Sequence, residues 1–301
     1  MRVRLISFFL VLASVAVFAG PAQSDISVEC GSSVTESVTL DHNIGPCSEG
    51  ALTVVGGDVT IDLNGHTIIG SGSGTGVLIT TAADGTAADV SVRNGLVAGF
   101  GIGVGVLAAK PESGCGAAGK ISIENIGVLA NETGVSIFGF PGCSTAITLS
   151  RDHIIGNAGD GVAAAVVGPV SILKSHIAKN GGVGIRAAFD SVRRIDGNLV
   201  SHNGADGVRV EDSVASITNN RMSHNGGVGL WIRDTISSLI PSYVVADNVA
   251  DGNGLGGMTA GSFPDPPLGP AGENNRAKHN GLFQCVLIVC APTRGRGPTE
   301  H

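Results

Sequence analysis

Asn198-Leu-Val-Ser-His-Asn203-Gly-Ala-Asp-Gly207-Val208-Arg-Val-Glu211 is followed 22 residues later by Asn220-Arg-Met-Ser-His-Asn225-Gly-Gly-Val-Gly229-Leu230-Trp-Ile-Arg233. Both stretches hold an Asn, a second Asn five places on, a Gly four places beyond that, and an apolar residue directly after the Gly. Outward from this pair the same Gly-apolar step recurs at Gly76, Gly103, Gly134, Gly161, Gly184 and Gly257, at intervals of 22 to 31 residues. Asn157, Asn180 and Asn253 repeat the nearer Asn, and Asn248 and Asn275 repeat the farther one. Between these markers apolar and polar residues alternate, the period of a β-strand. A unit of about three short strands cannot bury its inward face alone, but stacked units roughly 4.8 Å apart can. The spacing predicts an all-β, single-stranded right-handed parallel β-helix over 51–290. Asn and Gly suit its corners because both tolerate left-handed backbone, and stacked Asn side chains can bond to one another.

Composition agrees. The 301 residues include 47 Gly and only 11 aromatics, with 14% charged and 43% hydrophobic residues. A disordered chain needs more charge, a collagen needs Gly at every third place, and Gly costs a helical solenoid about 1 kcal/mol per position. The core must be thin and aliphatic. Arg2 and Arg4, the apolar run Leu5 to Phe18 and the small residues through Ser24 read as a secretory signal peptide over 1–24. Its removal moves the net charge from −7 to −9, with 16 basic against 25 acidic side chains. That balance argues against nucleic acid and against a membrane surface as partners. A secreted or periplasmic monomer is expected.

Six cysteines suit an oxidising compartment. They permit many connectivities. Proximity along the chain favours Cys30–Cys47, Cys115–Cys143 and Cys285–Cys290, with Cys115 and Cys143 in inserts of adjacent coils (108–119 and 138–144). Residues 25–50, held by Cys30–Cys47, are expected to cap one end of the solenoid, Cys285–Cys290 to tie off the other, and 291–301 to be a disordered tail. Zinc is disfavoured, since no CxxC occurs and no His adjoins a Cys.

Ile61-Asp62-Leu63-Asn64-Gly65-His66-Thr67-Ile68, followed by the Asn/Gly coils, resembles the exported bacterial right-handed parallel β-helix repeat proteins, over roughly 30–290. Their relatives include pectate and alginate lyases, mannuronan epimerases and a periplasmic copper-site maturation β-helix protein. The resemblance implies carbohydrate-active chemistry. No stretch matches a lyase or epimerase active site, so it assigns no catalytic residue, and fold alone does not fix function.

Aligning the units gives the outward columns. Two places after each repeated Gly stand Leu78, Gly105, Ser136, Ala163, Arg186, Arg209, Trp231 and Thr259, with Glu211 and Arg233 two places further on. Arg186, Arg209, Glu211, Trp231 and Arg233 form the candidate substrate-binding face. An aromatic ring stacks on a sugar, and guanidinium forks hold uronate carboxylates. This points to a secreted protein that binds an anionic polysaccharide and that, if enzymatic, acts as a lyase, epimerase or hydrolase. The alternative is a non-catalytic structural or cell-surface β-helix whose Arg side chains pair with Glu211, Asp212, Asp190 and Asp234. A third reading, metal handling, rests on Lys179, His202, His224, Gly252 and His279, in which His202 and His224 are neighbours, and on the pair His153 and His176. His66 is expected to hydrogen-bond a corner. The column Asp62, Arg93, Glu124, Ser150, Leu173, Asp196, Thr218, Ala246, Glu273 offers no close carboxylate pair for glycoside hydrolysis. No cofactor is expected. Calcium would be the candidate ion, drawing on Asp152, Asp160, Asp190, Asp206 and Asp212. Asn131-Glu132-Thr133 satisfies the N-glycosylation pattern.

Overall fold

The computed structural model describes residues 28–55, 57–80, 89–108, 119–139, 145–165, 168–189, 192–213, 216–234, 243–262 and 271–291. Its strands form three parallel sheets, and each coil contributes in turn to all three. The first sheet has 11 strands, from Ser32–Val34 to Phe283–Val286. The second and third are fused where Val90–Ala98, Lys120–Leu129 and Ala271–Lys278 bend through a corner and pair in both. The described residues include no helix. The predicted parallel β-helix is the observed architecture. Residues 32–47, expected as a cap, form its first course, with Ser32 opposite Leu52, Val38 opposite Ile61 and Ile44 opposite Ile68.

Parallel, in-register pairing stacks like on like. In the first sheet Val77, Val104, Val135, Val162, Ile185, Val208, Leu230 and Met258 make one fully buried column. In the third, Ile68 through Val97, Val128, Ile154, Ile177, Val200, Met222 and Ala250 makes another. Each methylene so buried contributes about 0.8 kcal/mol. Phe100 is the one aromatic among the largest fully buried side chains.

The corners hold the expected stacked Asn side chains, bonded from coil to coil, but not the expected backbone. The repeated Asn residues are not at the left-handed positions; they are buried rungs. Asn131, Asn157, Asn180, Asn203, Asn225, Asn253 and Asn280 form one ladder. In each rung the side-chain oxygen accepts the backbone N–H and the amide of the preceding Asn, as Asn225 Oδ1 does from Asn203 at 3.1 and 2.9 Å. Gln284 Oε1 closes this ladder on Asn280 at 2.9 Å. A second ladder runs Asp152, Ser175, Asn198, Asn220, Asn248, Asn275. The left-handed residue is the one before each rung: Ala130, Gly156, Lys179, His202, His224, Gly252 and His279 in the first, and Arg151, Lys174, Gly197, Asn219, Asp247 and Asn274 in the second. Its side chain leaves the stack, so many residue types serve.

The repeated Gly also has another reason than backbone freedom. Gly207 has ordinary backbone, but a Cβ there would lie 2.7 Å from the Gly229 carbonyl oxygen and 2.8 Å from Asn225 Nδ2. The ladder passes so close to the sheet that only a hydrogen fits. At Ala130 (φ 53°), exposed, the left-handed conformation costs an L-residue about 1 kcal/mol. Ala130→Gly is therefore expected to raise the urea midpoint by an equivalent of about 0.5–1 kcal/mol, an increase a denaturation curve resolves.

Cys30–Cys47 and Cys285–Cys290 are disulfides near the two ends, as expected from sequence. Cys115 and Cys143 lie outside the described residues, as do 1–27, most of both inserts, and 292–301.

Candidate functional site

The first sheet's outer surface carries the predicted face. Pairing aligns Ala163, Arg186, Arg209, Trp231 and Thr259 on successive strands, and beside them Ala188, Glu211, Arg233 and Gly261. Alternation puts Val208 and Val210 inside, so Arg209 and Glu211 point out. The side chains expected together are together.

Of the partners the sequence suggested, Glu211 is found beside Arg209, and Asp160 and Asp206 are additional. Arg186 Nε lies 2.9 Å from Asp160 Oδ2, and Arg209 Nε lies 3.5 Å from Asp206 Oδ2 and 3.8 Å from Glu211 Oε1. Asp160 and Asp206 are themselves fixed, each accepting from the next coil's backbone, Val183 and Val228, at 2.8 Å. These acids sit three residues after ladder Asn residues, which is why they reach the strand. The Arg209 guanidinium stands 4.0 Å from the centroid of the Trp231 ring and that of Arg233 6.0 Å. Trp231 thus has a cation on the flank toward Arg209. Its other flank is bordered by Thr259 and Gly261, and a Cβ at Gly261 would meet nothing within 4 Å. Arg233 is exposed at the edge of that space. Asp190 is outside the described residues.

The remaining predicted columns sort cleanly. Asp62, Arg93, Glu124, Ser150, Leu173, Asp196, Thr218, Ala246 and Glu273 pair in that order. Neighbours of opposite charge bond, as Arg93 Nε to Asp62 Oδ2 at 2.9 Å and Arg151 to Glu124. Burial works against the Asp62 carboxylate, but hydrogen bonds from Asn64, Asn94 and Arg93 outweigh it and hold its pKa below the ordinary value. The corner is held by Asp62, and His66 joins it through its backbone. His202 and His224 are adjacent, but their rings stack 5.1 Å apart at 9°, so their nitrogens lie side by side and do not converge on one ion. Among the described residues no group of three or more His, Cys, Asp or Glu is placed to hold a metal.

One sequence pattern is closed off by burial and one reading is corrected. Asn131 is 2% exposed and its amide is a ladder rung, so in the folded chain it is closed to glycosylation. Asp152, read as a loop acid able to serve calcium, is fully buried. Its Oδ1 accepts from Ile126 N–H at 3.1 Å while Oδ2 is buried without a partner. Burial raises its pKa to about 8 against the opposing pull of the Ile126 and Ser150 N–H groups and Arg151. The signal was in the spacing: Asp152 stands 23 residues before Ser175, which stands 23 before Asn198.

Coil stacking, aliphatic columns and Asn ladders define the class of right-handed parallel β-helices. Residues 164–294 match the family model described as right handed beta helix region. No curated protein matches the sequence. Among solved structures the chain is similar to the Dettilon tailspike protein, at 12% identity and TM-score 0.47, covering 84% of this chain and 60% of that one. It is also similar to the periplasmic alginate epimerase AlgG, at 13% identity and TM-score 0.44, covering 80% and 77%. For the A-module of an Azotobacter vinelandii mannuronan C-5 epimerase the values are 13%, 0.36, 87% and 90%. The chain thus spans 60% of the tailspike's length.

Proposed function

We propose that the protein binds an anionic polysaccharide on the first sheet's outer face, with Trp231 as the stacking platform and Arg233 as the carboxylate fork. The observation that carries this reading is the half-framed ring. Arg209 lies 4.0 Å and Arg233 6.0 Å from the Trp231 ring centroid, and on the neighbouring strand a Cβ at Gly261 would meet nothing within 4 Å. A sugar ring laid there gains apolar stacking, and a uronate carboxylate beside it reaches Arg233. Arg186, Arg209 and Glu211 serve as the frame, because their ion pairs with Asp160 and Asp206 fix the column on which the ring rests. The described acids of this face are engaged by guanidinium groups, an arrangement suited to holding a chain more than to cleaving it. In affinity electrophoresis through alginate or polygalacturonate, wild type is expected to be retarded, with Trp231→Ala and Arg233→Ala each losing about tenfold in affinity. Equal retardation of all three would contradict the reading.

A further inference from the structure

The third sheet presents a different outer surface. On its successive strands His153, His176, Leu199, Arg221, Val249 and Arg276 stand in one column, and Ile155, Ala178, Ser201, Ser223, Asp251 and Lys278 in the next, where Ala178, Ser201 and Ser223 are buried. The adjoining left-handed corner adds Lys179, His202, His224 and His279. Six strands at about 4.8 Å make a stripe roughly 24 Å long.

Charge on this stripe is one-sided, although the chain carries a net −7. Elsewhere Arg93, Arg151, Arg186, Arg194 and Arg209 each lie against a carboxylate. Here, among the described residues, Asp251 is the one acid, and it already serves Lys278 at 3.7 Å and His279 at 3.0 Å. One bordering corner adds Lys174 and Asp247, which offset each other, and Arg151, which Glu124 holds. The other border is Ala158, Gly181, Gly204, Gly226, Gly254 and Gly281, without charge. Like groups stacked in register repel, at a cost to stability that nothing in the core requires. The crowding shows at His176, whose pKa is held below the ordinary value first by burial, then by His153 and Lys179. Four fixed cations (Lys179, Arg221, Arg276 and Lys278) face one acid, an excess of about three charges. The stripe also holds five histidines, the side-chain type that adds positive charge on acidification.

We infer that this stripe is an acid-gated docking surface for a linear sulfated or carboxylated glycan, recruited as His153, His176, His202, His224 and His279 gain charge. It is independent of the Trp231 face, being on another sheet. Its outward apolar residues, Leu199 and Val249, offer no aromatic platform for nucleic-acid bases, and the disulfides fit an oxidising compartment, where glycans are the common polyanions.

The test is calorimetric titration of the full chain with a heparin-type oligosaccharide, whose sulfates stay ionised, at pH 7.5 and 5.5 and constant salt. Affinity is expected to tighten at least about tenfold on acidification. Combining His153→Gln, His176→Gln, His202→Asn and His224→Asn should reduce that gain to under about twofold; Asn is chosen where the backbone is left-handed. Should the combination fail to fold, His202→Asn and His224→Asn singly are each expected to cut the gain by about twofold. Trp231→Ala should keep it whole, so failure here and failure of the first-sheet reading are separable. A wild type without acid tightening, histidine variants that retain all of it, or a loss with Trp231→Ala would overturn the inference. So would anionic vesicles or single-stranded DNA binding on acidification while the glycan does not.

Discussion

Asp152→Asn is expected to stabilise the protein at neutral pH and to remove a decline in stability between about pH 4 and pH 8. Asp152 occupies a rung position at which Asn198, Asn220 and Asn248 donate Nδ2–H to the carbonyls of Ile172, Ile195 and Ile217, at 2.7–2.8 Å. By the same register its Oδ2 faces the Ile123 carbonyl, where a carboxylate cannot donate and a protonated acid or an amide can. The folded pKa, about 8, lies above the ordinary 3.8. The folded state therefore holds a proton that the unfolded state releases. The contribution is complete below about pH 4 and is lost, at about 1.4 kcal/mol per pH unit, as pH rises toward 8. At pH 7 the amide should gain on the order of 4 kcal/mol, roughly 8–16 °C in Tm, with the difference from wild type vanishing toward pH 4. Thermal melts of both proteins across this range check it, and curves that superimpose at every pH would contradict it.

Asn225→Ala is expected to cost about 3–5 kcal/mol although the side chain bears no charge. Asn225 Nδ2 donates to Val200 O at 3.2 Å and to Asn253 Oδ1 at 3.0 Å, and its oxygen accepts twice from Asn203. Truncation strips buried donors and acceptors on both neighbouring coils at once, and each orphaned group costs about 1–3 kcal/mol. Urea unfolding with an unchanged slope and a lower midpoint is the expected signature. A loss below about 1 kcal/mol would mean that water replaces the rung and that the ladder contributes little.

How far the sequence could be read depended on what each position touches. Columns such as Asp62, Arg93, Glu124 and Ser150, or Arg186, Arg209 and Trp231, were legible because in-register stacking makes sequence interval equivalent to spatial neighbourhood. The corner chemistry was not. Left-handed residues such as Lys179 and His202 project outward, so nothing in their identity announces the backbone they adopt, whereas the Asn beside each is fixed by what it must bond. Asp160 and Asp206 as partners of Arg186 and Arg209 were not legible, because they lie on turns whose direction the strand alternation does not encode. Asp152 was missed for a different reason: its type differs from its column mates, and only its interval marks it as a rung.

The most direct measurement follows from there being one Trp in the chain, Trp231. Its fluorescence, titrated with alginate or polygalacturonate oligosaccharides at pH 7.5, reports on the proposed platform alone. A saturable change in intensity or emission maximum, abolished by raised salt and weakened about tenfold in Arg233→Ala, is the predicted result. Oligosaccharide binding detected by calorimetry with an unchanged Trp231 spectrum, or no binding at all, would contradict the assignment of this face.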